Sequence, residues 1–227
     1  MKNLHLPLLV FMILAGCVFA DDEKTPGKVD AETQKLRNEF GLPRLIFLKQ
    51  AVKDADVSDS TREALIKICD DSREEIIAAV DQEKSQPSEA EDRKQTIADL
   101  SQKFTDNSYD AMKGDSKAEH GISDQIARLG YELELIRKAQ LVEKMADLDL
   151  TEEQKSSIEA LVADVKKKVK AKSSSDVMKD EQAVTTLLDA RKKAHEKLTD
   201  EQKDQWKAYV SSHANAKRAP GAFKEAP

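Results

Sequence analysis

The chain has 227 residues, 37 Lys and Arg against 43 Asp and Glu, and a formal net charge of −6. Aromatic residues make up 4% and charged residues 35%, with 7 Gly and 6 Pro. An acidic balance excludes a general nucleic-acid binder, which needs a basic surface. So much charge with so few aromatics suits long amphipathic helices better than a sheet protein.

Residues 1–20 read as a signal peptide. Lys2 is followed by an apolar stretch from Leu6 to Leu14, small residues at Ala15, Gly16 and Ala20, and then Asp21, Asp22 and Glu23. The stretch is too short for a comfortable membrane span. Two cleavage readings stand. Val18-Phe19-Ala20 lets a signal peptidase cut before Asp21. Leu14-Ala15-Gly16-Cys17 resembles a bacterial lipobox and makes Cys17 a candidate lipidation site. On either reading the rest is exported to the periplasm or cell envelope, reaching a membrane only through an N-terminal lipid. Cys69 is then the one remaining cysteine, which allows no internal disulfide. It falls on an apolar stripe with Leu65 and Ile76, and a buried, inert thiol is expected.

Residues 21–41 form an N-terminal segment with a short helix, unstructured over 21–28 and ended at Gly41. Pro43 suits the first turn of the next helix. Residues 42–113 form a first helical repeat unit. Its longest stripe, Leu65, Ile68, Cys69, Ile76 and Val80, belongs to a helix from about Asp59 to Ser85-Gln86-Pro87. Ser88 and Glu91 are spaced as a capping box for the helix that follows. Lys113-Gly114-Asp115 and His120-Gly121 bracket a linker over 114–122. A second unit spans 123–213. Its stripes are Ile126, Leu129, Leu133 and Ile136, then Ile158, Leu161, Val162, Val165 and Val169, then Val184, Leu187, Leu188 and Leu198. Ser173 to Asp176 read as a loop, and 214–227 as a disordered tail. No period-two alternation appears. The fold class is all-α: extended, coiled-coil-like helical hairpins, internally duplicated, with no β-sheet.

One pattern recurs four times: an apolar residue, a Ser or Thr, and a polar residue three positions on. The copies begin at Val57, Phe104, Leu150 and Leu198 and end at Thr61, Ser108, Gln154 and Gln202. Spacing of 46 to 48 residues is the mark of a repeated helix–turn–helix unit. A register of 93 residues also aligns Ser58 with Thr151, Leu65 with Ile158 and Cys69 with Val162, which favours duplication. Physically the motif is a helix start. Thr151 accepts from the Gln154 backbone and Gln154 reaches back to Thr151; Thr199 and Gln202 do the same. Leu150 and Leu198 sit just outside each helix, placed to pin the turn to the core. Thr61 and Ser108 are too short to reach back, so the first two copies are weaker.

Leu150-Thr151-Glu152-Glu153-Gln154 and Leu198-Thr199-Asp200-Glu201-Gln202 both fit the LTxxQ signature. With the leader and the helical pattern, residues 132–212 resemble the Spy/CpxP family of periplasmic proteins. The resemblance implies a helical, ATP-independent, chaperone-like or envelope-stress protein that binds unfolded clients. It departs from that family in carrying two degenerate copies ahead of two good ones, and in an acidic first half: residues 21–113 hold 15 basic and 22 acidic groups. The family's client surface has no short motif to carry over.

Chemistry of the enzymatic kind finds no constellation. Outside the leader the histidines are His120, His195 and His213, none at metal-ligand spacing from another, and no CxxC or phosphate loop occurs. No catalytic residue, metal or cofactor is expected. Lys166 to Lys172 read as a solvated helix face, with an acidic partner or anionic lipid as the alternative. Two functions compete. A chaperone-like protein would leave apolar side chains open along one face. A structural or adaptor protein of the envelope would bury its apolar set and show charge outside.

Overall fold

The computed structural model describes residues 29–216. The leader reading of residues 1–20, Cys17, the unstructured reading of 21–28 and the tail beyond Ala216 lie outside them. Among the described residues there are ten α-helices, one 3-10 helix and no strand: the fold is all-α. By contact the chain divides into two compact units, one running to Ile122 with Ala171–Thr185 added, the other holding Ser123–Lys170 and the residues from Thr186 onward.

In the first unit, α1 (Ala31–Glu39) is capped by Asp30, whose carboxylate accepts the Thr33 N–H at 2.9 Å. Gly41, at φ 104°, turns the chain into α2 (Leu42–Asp54), with Pro43 in its first turn. That left-handed conformation is open to glycine without strain. Next comes α3 (Asp59–Ser85), capped by Ser58, and it stops ahead of Pro87. It packs against α1, α2 and α4 (Ala90–Met112). Leu42, Leu45, Leu48, Leu65, Cys69, Val80 and Phe104 are buried, each large aliphatic contributing about 1.5–3 kcal/mol before ordering costs.

Ser88 does not cap α4. Its N–H and hydroxyl both donate to the Glu83 carboxylate, at 3.0 and 2.7 Å, and the cap position falls to Glu89 without a side-chain bond. A charged acceptor already near the turn outcompetes the box. The 114–122 linker is shorter than read: α5 (Ala118–Arg137) begins inside it. Gly121 is a helical residue of α5, and a Cβ there would lie 2.5 Å from the Asp56 carbonyl oxygen. Its glycine serves close approach to the turn after α2, not chain freedom. Ser173–Asp176 is not a loop but a capped turn of helix, α8 (Ser174–Val177), with Ser173 and Asp176 forming a reciprocal box. Finally, helix continues to Ala216, so residues 214–216 are not part of a disordered tail.

The second unit contains most of α5, then α6 (Leu141–Lys144), the 3-10 turn Ala146–Leu148, α7 (Glu152–Lys168), most of α9 (Glu181–His195) and α10 (Asp200–Ala216). Leu129, Leu133, Ile136, Met145, Ile158, Val162, Leu187 and Trp206 form its core. Ala139 ends α5 at φ 59°, while the Gln140 N–H reaches back to the Leu135 carbonyl at 2.8 Å. This is a Schellman closure with alanine where glycine is usual.

Candidate functional site

The four copies of the apolar–hydroxyl motif take three different forms. Ser58 caps α3, accepting the Thr61 N–H at 3.3 Å. The copy beginning at Phe104 lies inside α4, which runs unbroken through it. There Thr105 donates back to the Ser101 carbonyl at 2.9 Å, and the buried Ser108 hydroxyl has no hydrogen-bond partner among the described residues. The regular 46-to-48-residue repeat therefore fails at its second copy. Inside this continuous helix the Thr105 hydroxyl already has the Ser101 carbonyl to bond, and the hydroxyl motif alone does not break the helix.

The last two copies are full boxes. Thr151 Oγ1 accepts the Gln154 N–H at 3.2 Å, and Gln154 Oε1 accepts the Thr151 N–H at 2.8 Å. Thr199 and Gln202 repeat this at 3.2 and 2.9 Å. Leu150 and Leu198 are buried beside them, at 7% and 4% exposure. Acidic residues follow each cap, Glu152 and Glu153 in α7, Asp200 and Glu201 in α10, where the helix dipole favours them.

The two boxes also join. Gln154 Nε2 donates to Gln202 Oε1 at 2.9 Å and to the Lys197 carbonyl at 2.7 Å. Gln202 Nε2 donates to the Leu148 carbonyl at 3.0 Å and to Gln154 Oε1 at 3.3 Å. Each glutamine thus closes its own helix start through its oxygen and clasps the other turn through its nitrogen. Neighbouring Asp149, at φ 48°, holds a left-handed conformation that a short polar side chain tolerates. The arrangement fixes the starts of α7 and α10 against each other. It presents no nucleophile and no acid–base pair.

A second cluster in this unit escaped the reading of the sequence. Glu132, on α5, is 4% exposed. Its carboxylate accepts from Arg191 Nε at 2.5 Å, lies 2.9 Å from His195 Nε2 and accepts Trp206 Nε1–H at 2.5 Å. Burial by itself pushes this carboxyl upward; the His195 hydrogen bond and the Arg191 charge outweigh it and hold the group at about 2. Alongside, Trp206, Tyr209 and His213 stack in succession, with ring centroids 5.2 and 3.9 Å apart. Tyr131 faces His213 at 6.3 Å, and burial with a Tyr209 hydrogen bond pushes its hydroxyl up to about 12.

Cys69 is buried, and burial pushes its thiol up to about 12. Among the described residues no His, Cys, Asp and Glu cluster has the makings of a metal site, and no helix is long and apolar enough to cross a membrane. Of the Lys166–Lys172 run, Lys166, Lys167 and Lys168 close α7 as exposed residues, Lys168 pairing with Asp164 at 2.7 Å. Nothing matches the chain among protein-family models, curated proteins or solved structures.

Proposed function

We propose that the chain is an exported, non-enzymatic helical binding protein that acts as a scaffold or adaptor of the cell envelope. One observation carries the choice. Tyr109, at 50% exposure, is the one large apolar side chain open to solvent among the described residues. Most stripe residues are buried, with Ile68, Ile126, Leu161, Val169 and Leu188 half-buried at the stripe edges, so the fully exposed faces are mainly polar and meet partners through charge and hydrogen bonds. Such contacts steer encounter and weaken in salt. Export is supported by the leader-like residues 1–20. The LTxxQ pair enters this reading as a joint that stiffens the second unit.

A second reading, ATP-independent holding of unfolded clients, is favoured by the paired LTxxQ segments. The test is light scattering of a chemically denatured protein diluted into buffer with the chain lacking residues 1–20. An unrelated acidic helical protein of similar size is the control. The scaffold reading expects both proteins to suppress scattering equally. Clear suppression by this chain beyond the control overturns it in favour of the chaperone reading.

A further inference from the structure

We draw no further inference here: the strongest candidate, a polar hollow of about 320 Å³ at the start of α3 lined by Ser58, Ser60, Thr61, Lys113, Gly114 and Asp115, carries nothing because it is a helix N-terminus whose Ser58 N–H is already taken by the Asp115 carboxylate at 3.0 Å, with no second observation that points to a ligand.

Discussion

Gln154 and Gln202 stand 48 residues apart and bond through their side-chain amides in both directions, at 2.9 and 3.3 Å. A capping glutamine ordinarily serves one helix. Here each serves its own helix and the turn of the other, so the pair behaves as a unit. Replacing Gln202 with Ala leaves the buried Leu148 carbonyl and the Thr199 N–H without their partner, at a cost of about 1–3 kcal/mol. Gln154→Ala should cost less, since that side chain is nearer solvent. The double variant should fall short of the summed losses by about 0.5 kcal/mol or more, as for residues sharing one network. Urea unfolding of all four proteins measures this; strict additivity would show the two boxes to be independent.

The copies of the motif should separate by stability. Thr151→Ala and Thr199→Ala each remove a cap and should lose about 0.5–2 kcal/mol. Thr105→Ala removes no cap and places the best helix former inside α4, so its change should be within about 0.7 kcal/mol and stabilising in sign. Equal losses at all three positions would restore the four-fold repeat.

Acid should find Glu132. Its folded value of about 2 lies below the ordinary unfolded value of about 4.3. A depressed carboxyl contributes stability that is fully present above the unfolded value and is lost as pH falls toward the folded one. The window therefore runs from about pH 4.3 down to about 2. Trp206 is the single tryptophan of the chain and donates to this carboxylate, so its emission reads the site directly. Glu132→Gln should destabilise by about 3–5 kcal/mol, because an amide cannot neutralise the Arg191 guanidinium, and should flatten the acid-dependent loss. An unchanged acid profile in that variant would assign the loss to other carboxylates.

Alanine at position 139 holds a glycine's conformation, φ 59°. Ala139→Gly should stabilise the chain by about 0.5–1 kcal/mol, the strain of a Cβ there exceeding the added freedom of the unfolded chain. The thermal midpoint should rise. A fall would mean that the closing turn of α5 is not strained.

The helices were readable because burial repeats every three to four residues: Leu65, Cys69, Ile76 and Val80 are inside where the stripe put them. Caps were readable where the residues can physically reach, as at Thr151 and Thr199. They misled at Thr105 and Ser88, where residue type matched but a continuous helix or the Glu83 carboxylate offered better bonding. The glutamine clasp was not legible, since it depends on two distant turns meeting. Glu132 did leave a signal. It lies three residues after Leu129 and four before Ile136, on the apolar face of α5, where an acid must find a cationic partner.

The burial of Cys69 sets a kinetic consequence. A thiol 2% exposed and pushed to about 12 has almost no reactive thiolate at neutral pH. In a chain lacking residues 1–20, and hence Cys17, alkylation can proceed only through excursions that lift α3 off its neighbours. Its rate thus counts local openings of the first unit, just as amide exchange does for backbone. Trp206 sits in the second unit, so one chain carries two separate reporters. Alkylation that outpaces global unfolding would reveal that the first unit opens while the second stays closed.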